Sequence, residues 1–389
     1  MKLVRNMNRL GTETAFDVLA RAEELTRQGR DIINLGIGQP DFLTPDHIVE
    51  AAIKALRDGQ HGYTPAQGIL PLREAVSADL YKRHHADVSP DNIVIMPGGK
   101  PTMFFAILMF GRPGVEIMYP DPGFPIYRSM IEFTGAKPVP IPLRMEKGFA
   151  FSADEVLANI TKKTRLIIVN SPGNPTGGVT PKIEIDRLVT GLADWPDIAI
   201  MSDEIYSNML YDGLSFTSFL SYRDIRNRLI ILDGWSKTYA MTGWRLGFSV
   251  WPDSLIDKIV RLAVNNHSCV NAPTQYAGIA ALTGPQDAVA KMVKEFDERR
   301  RVIVPLLNEL PGFTCLEPAG AFYAFPNIEQ TGLSSTELQS EMLEKVGVAT
   351  VPGNSFGLYG NGFIRFSYAS SVENIRKAAQ RINEMLSPS

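Results

Sequence analysis

Between Arg228 and Val250 the chain reads RLIILDGWSKTYAMTGWRLGFSV. Ile230 to Leu232 are apolar and β-rich, the mark of a buried strand, and Asp233 and Gly234 end that run. Ser236 and Lys237 follow at once, Arg245 stands eight residues beyond the lysine, and a second strand is expected from Leu246 to Trp251. Lysine is seldom buried without a partner. An imine-forming amine gains from the same surroundings, because desolvation and a nearby cation lower its pKa. Arg245 can be that cation, or it can grip a phosphate through two parallel N–H bonds. On this window alone, two ordinary surface side chains account for the pair at least as well.

Other strand ends carry comparable groups. Ile32 to Leu35 runs into GIGQPDF, where Gly36 and Gly38 lack dinucleotide spacing because Asp41 stands where the next glycine is required. That loop lets backbone approach a ligand, or is a simple turn. Strand Ile93 to Met96 turns through Pro97, Gly98 and Gly99, with Lys100 in the turn, into a helix over Pro101 to Met109. Such a turn suits an anion, and its spacing fits a single phosphate better than a nucleotide. Strand Val115 to Tyr119 ends in DPGFP, which carries Phe124. Strand Arg165 to Val169 ends in NSPGNPTGG, too rich in turn formers to build a core. Strand Ile198 to Ser202 leads to Asp203, Glu204 and Tyr206.

Strands alternating with helices predict an α/β protein with a mainly parallel sheet, which binds ligands at the carboxyl ends of its strands. Gly99, Phe124, Asn174, Asp203 and Lys237 all fall just after strands. The first twelve residues read as an extended arm, followed by a helix over Glu13 to Gln28 that Gly29 stops. Asp46 is placed to cap a helix over His47 to Leu56. After Trp251 come helices over Pro252 to Val264, Ala272 to Thr283 and Asp287 to Leu307. A smaller α+β region follows, with strands near Cys315 to Pro318, Ala321 to Phe325, Val348 to Val351 and Phe363 to Phe366. A length of 389 residues exceeds what one core serves. The expected division is an arm and helix over 1–45 joining the small domain, a large domain over 46–290 and a small domain over 291–389.

A net charge of -3 without a basic stripe argues against a nucleic-acid partner. No apolar window is long enough for a membrane span, and the charged N-terminus is no secretion signal. Cys269 and Cys315 are the only cysteines, and the five histidines lack ligand spacing, so no metal site is expected. A reducing, cytoplasmic setting follows by default.

Taken together, GIGQPDF (36–42), GYTPAQG (62–68), NSPGNPTG (170–177), SDEIY (202–206), SKTYAMTGWRLG (236–247) and IRFSYA (364–369) resemble a class I/II aminotransferase that uses pyridoxal phosphate. The resemblance is greatest to the prokaryotic aspartate aminotransferase branch. It implies the fold type I architecture: a mainly parallel seven-stranded sheet in a large domain, plus a smaller α+β domain. It implies an imine on Lys237, Asp203 at the pyridine nitrogen, Tyr206 and Asn174 at the phenolic oxygen, and Phe124 stacked on the ring. Gly99, Lys100, Ser236 and Arg245 would hold the phosphate, joined by Tyr63 from the other subunit of a homodimer. Arg365, with Gly38 and Asn174, would take the substrate α-carboxylate, and Gly353 and Asn354 would support it. The family often has a serine where Gly234 stands, so one phosphate donor is in doubt.

The resemblance implies a ping-pong exchange between an L-amino acid and a 2-oxo acid. Carbon–sulfur β-lyases share this constellation and are the rival reading. A non-catalytic, cofactor-sensing regulator is a third, but only about twelve residues precede the first helix, too few for a DNA-binding domain. A dicarboxylate substrate needs a second cation, since an unpaired buried charge is costly. The stretch Val264 to Pro273, where part of the family has an arginine, offers only His267. In the N-terminal helix Glu13 would repel a distal carboxylate, and Phe16 favours an apolar or aromatic side chain. A broad-range enzyme is expected, with glutamate as common donor, at least one apolar or aromatic partner, and aspartate retained.

Overall fold

A computed structural model describes residues 1–387, so the last two residues of the expected 291–389 domain lie outside the described residues. The strands are β1 (Ile33–Asn34), β2 (Ile93–Met96), β3 (Glu116–Asp121), β4 (Lys137–Pro142), β5 (Thr164–Asn170) and β6 (Ala199–Asp203). They continue with β7 (Leu229–Gly234), β8 (Gly247–Val250), β9 (Tyr323–Ala324), β10 (Val348–Ala349), β11 (Val351–Pro352) and β12 (Ile364–Ser367). Seven of them form one sheet in the order β2-β8-β7-β6-β5-β3-β4. Only β8 runs antiparallel to its neighbours β2 and β7, so the sheet is mainly parallel, as expected.

Alternation along each strand sends side chains to opposite faces. Ile95, Ile167, Ile200 and Ile231 enter the core under one face, and Val94, Ile168, Met201 and Ile230 enter the core under the other. Helices cover both faces, which is why these strands read as continuous apolar runs. The smaller domain holds the antiparallel sheet β11-β12-β9 and the parallel pair β1-β10. Helices Asp287–Asn308, Ser335–Val346 and Val372–Leu386 pack on a separate core containing Phe296, Leu338, Phe366 and Ile375. Helix Thr14–Arg27 buries Ala22 and Leu25 against Leu343 and Ala349 of that domain.

Several expected elements differ. Cys315 to Pro318 is not a strand; the chain there is held by isolated bridges at Thr314 and Gly320, and Pro318 has no N–H for a ladder. Val348 to Val351 divides at Thr350, since β10 pairs with β1 and β11 pairs with β12. Asp46 is not a cap: Pro45 takes that position and Asp46 opens the helix, where its charge still favours the N-terminus. The arm contains a 3-10 turn over Arg5–Arg9, and Gly11 N–H donates to Ser129 Oγ at 2.9 Å.

The register of the central strands sets out the chemistry. Asn170 pairs with Asp203, Asp203 with Leu232, and Gly234 with Gly247. Three neighbouring strand ends therefore face one edge. Truncating the fully buried Ile231 to alanine should cost about 2–5 kcal/mol, because the cavity left behind cannot collapse between two helical layers. Urea unfolding of I231A checks this; a loss under about 0.5 kcal/mol would contradict the packing described.

Candidate active site

The edge opens into a cavity of about 600 Å³ between the two domains. Lys237 enters it from the short helix Trp235–Thr238, directly after β7. Its Nζ donates to the Gly38 carbonyl at 2.5 Å and lies 5.9 Å from the centre of the Phe322 ring. Burial lowers the amine's pKa to about 8, and the guanidinium of Arg365, then that of Arg245, push it the same way. Arg245 was the cation expected from sequence; Arg365 is the stronger influence.

Asp203, at the end of β6, is buried and accepts from Tyr127 Oη at 2.5 Å and from Ile205 N–H at 3.3 Å. Among the described residues no lysine or arginine pairs with it. Burial therefore raises its carboxyl to about 6 against the help of those two donors. A cation placed beside it would favour the ionised form.

Arg365, on β12, is buried. It donates to Asn174 Oδ1 at 2.8 Å and to the Gly36 carbonyl at 2.6 Å, while its Nε is buried without a partner. The guanidinium is sandwiched between the rings of Tyr323 and Phe356, at 4.6 and 4.9 Å from their centres. Tyr323 also shares a 2.7 Å hydroxyl contact with Tyr206. Gly38 leaves room for that hydroxyl, since a Cβ on Gly38 would overlap it. With its oxygen on Arg365, the Asn174 amide has its N–H groups available to the cavity.

At the opposite end, Gly99 and Lys100 open the helix Lys100–Phe110, whose first amides have no intrahelical partners. Ser236 and Arg245 line the same wall, and Arg245 is held there by the Thr242 carbonyl at 2.8 Å. A Cβ on Gly234 would stand 2.8 Å from Gly247 Cα, so the close approach of β7 and β8 leaves no place for a serine.

The mouth is aromatic and charged. Lys100 Nζ is ion-paired with Glu13 and lies 5.4 Å from the Phe16 ring and 5.7 Å from the Phe124 ring. A second cation is thus present at the mouth, on Lys100, which the resemblance assigns to the phosphate. His267 does not reach the cavity; it stacks on Phe105 with ring centres 6.4 Å apart. Tyr63 stands apart from the others, 94% exposed and outside the cavity.

Sequence reasoning missed Tyr323 and Tyr127. GAFYAF offered a short apolar strand with no polar signal, although Tyr127 follows Phe124 by one helical turn and so faces the same way. As a receptor for pyridoxal phosphate the donors fit. Helix-opening amides with an arginine suit a phosphate monoester, and a buried carboxylate lacking a cation suits a protonated ring nitrogen.

These features define a fold type I enzyme dependent on pyridoxal phosphate. The model of the family "Aminotransferase class I and II" matches residues 30–382. The chain is 39% identical over 360 residues to an aspartate aminotransferase from Pyrococcus abyssi, covering 92% of each protein. It is 40% identical over 358 residues to aromatic-amino-acid aminotransferase 2 from Thermococcus litoralis, covering 91% of this chain and 92% of the relative. A solved aspartate aminotransferase from Thermus thermophilus with maleate superposes with a TM-score of 0.93 at 32% identity, covering 99% of both chains. The chain belongs to the class I and II aminotransferases.

The neutral amine of Lys237 is favoured by burial, so in cofactor-free protein it should accumulate as pH rises through about 8, well below the usual 10.5. Acylation of Lys237, followed by mass spectrometry across pH, should be half-maximal there and should move upward in R365L. Half-maximal labelling above about 10 would contradict the electrostatics.

Proposed function

We propose that the protein exchanges amino groups between glutamate/2-oxoglutarate and amino acids with apolar or aromatic side chains, with aspartate as a further substrate. The observation that carries this reading is the Lys100–Glu13 ion pair set between Phe16 and Phe124. An apolar or aromatic side chain lies among those rings and leaves the pair intact. A distal carboxylate has to take Lys100 from Glu13, a partner exchange rather than the desolvation of an unmatched charge. Relatives that include both an aspartate and an aromatic-amino-acid aminotransferase support a site that serves both.

When bound, pyridoxal phosphate supplies an electron sink for the carbanion at the substrate α-carbon. Lys237 takes and returns the proton at that carbon, a role its lowered pKa suits near neutral pH. Asp203, oriented by Tyr127, would keep the ring nitrogen protonated. Tyr206 and Asn174 would donate to the phenolic oxygen, and Phe124 would offer a flat face to the ring. Arg365 takes the α-carboxylate through its fork, with Asn174 and the close wall at Gly38. Gly99, Lys100, Ser236 and Arg245 would hold the phosphate. In a homodimer, Tyr63 of a second copy completes that end, in keeping with its exposure here. A cytoplasmic enzyme fits the two free cysteines.

K237A should lose all transamination while remaining folded; a K237A protein that still turns over sinks the reading. Incubation with cystathionine separates the lyase reading, which needs stoichiometric pyruvate and ammonia without any 2-oxo acid.

Removing the internal competitor should sharpen the dicarboxylate reaction. E13Q is expected to raise kcat/KM for aspartate and glutamate about tenfold, roughly 1.4 kcal/mol, and to leave leucine and phenylalanine within about twofold. A panel of the twenty amino acids measures both. If the wild type already favours aspartate and glutamate by more than about 100-fold, roughly 2.7 kcal/mol, the apolar assignment is wrong.

A further inference from the structure

Asp121 ends β3 on the same edge as Asp203, yet it lines no part of the cavity. It is buried, and among the described residues no lysine or arginine pairs with it. Its two carboxylate oxygens are met by backbone instead. Tyr359 N–H donates to Oδ1 at 2.9 Å and Leu358 N–H to Oδ2 at 3.1 Å, with Tyr119 Oη at 3.3 Å as a third donor. Both amides belong to the small domain, in the turn that follows β11. A carboxylate set against two adjacent amides makes stronger, charge-assisted bonds than a carbonyl would. Gly357, with φ of +129°, faces the carboxylate so closely that a Cβ there would overlap it.

The same turn carries Phe356. Its carbonyl accepts from Gly123 N–H at 2.8 Å, two residues after Asp121. Its ring covers one face of the Arg365 guanidinium at 4.9 Å. We infer that Asp121 is a positioning residue for substrate: it clamps the turn over 353–360 onto the large domain, and so holds Phe356 over Arg365. The segment Asp121–Phe124 thereby serves both domains, fastening the cover of the carboxylate site at one end and presenting Phe124 to the cavity at the other.

The inference rests on the reading that Arg365 receives the α-carboxylate. Asp121 touches neither substrate nor cofactor, so its loss should act on carboxylate binding and spare the rest. D121N keeps one acceptor and sets an amide N–H against a second N–H; D121A removes both acceptors. In the holoenzyme, KM for amino acid and 2-oxo acid should rise about tenfold in D121A and about threefold in D121N, with kcat reduced less than about threefold. Cofactor affinity should stay within about twofold of wild type.

Binding of 3-phenylpropionate, a non-reacting carboxylate, should weaken in step with KM. A merely structural role would lower thermal stability and leave that binding unmoved, which would overturn the inference. R365L is the control. If it binds 3-phenylpropionate as well as wild type, the carboxylate reading itself fails. If R365L loses binding and D121N does not, only the clamp fails. Hydrogen exchange on the wild-type holoenzyme gives a readout that needs no variant: the Leu358 and Tyr359 amides should be protected. Free exchange at both would also overturn the clamp.

Discussion

Two like charges share one water-poor cavity. Burial makes both the Lys237 amine and the Arg365 guanidinium harder to keep ionised, the guanidinium adds to the pressure on the amine, and much of the surrounding chain compensates for that. The lysine yields, because an amine can shed its proton and a guanidinium does not. The arginine is kept by two carbonyl oxygens and two aromatic faces rather than by a carboxylate. A carboxylate in that position would neutralise the very group that has to receive an anionic substrate. The Nε is buried as well and keeps an N–H that no group among the described residues satisfies.

Asp203 shows the complementary arrangement. Its carboxyl is buried with neutral donors only, which leaves its charge available to a cation from outside the chain. Asp233, also at a strand end, is buried too and its carboxyl is likewise raised to about 6 by burial, but Arg83 already pairs with it at 3.2 Å. Two aspartates on adjacent strands thus differ in chemical availability through a single guanidinium. Sequence alone ranks them only by motif, because nothing local marks Arg83 as the partner of a residue 150 positions away.

The legible part of the site was the part that turns and strand ends announce. Lys237, Asp203 and Asn174 each follow an apolar run, and the register of a parallel sheet brings such ends together. What was not legible lies in side-chain pairs between distant segments. Tyr206 meets Tyr323 from 117 residues away, and Lys100 meets Glu13 across 87. Periodicity places the backbones of these residues and says nothing of where long side chains go. Small-domain strands were blurred for a related reason: two-residue ladders that change partner at Thr350 leave no alternation to read.

The one antiparallel strand of the seven-stranded sheet, β8, has a consequence for synthesis. Strand β2, which leads into the Gly98–Lys100 turn, pairs in the sheet only with β8, Ile93 against Val250. A growing chain therefore exposes an apolar edge at β2 until the far half of the large domain has emerged. Arg365 comes later still. The anion-binding turn is paired once β8 has been made, before the carboxylate fork exists, so a nascent chain stalled between them has Lys237 and Arg245 but lacks Arg365, the stronger of the two cations that tune the lysine.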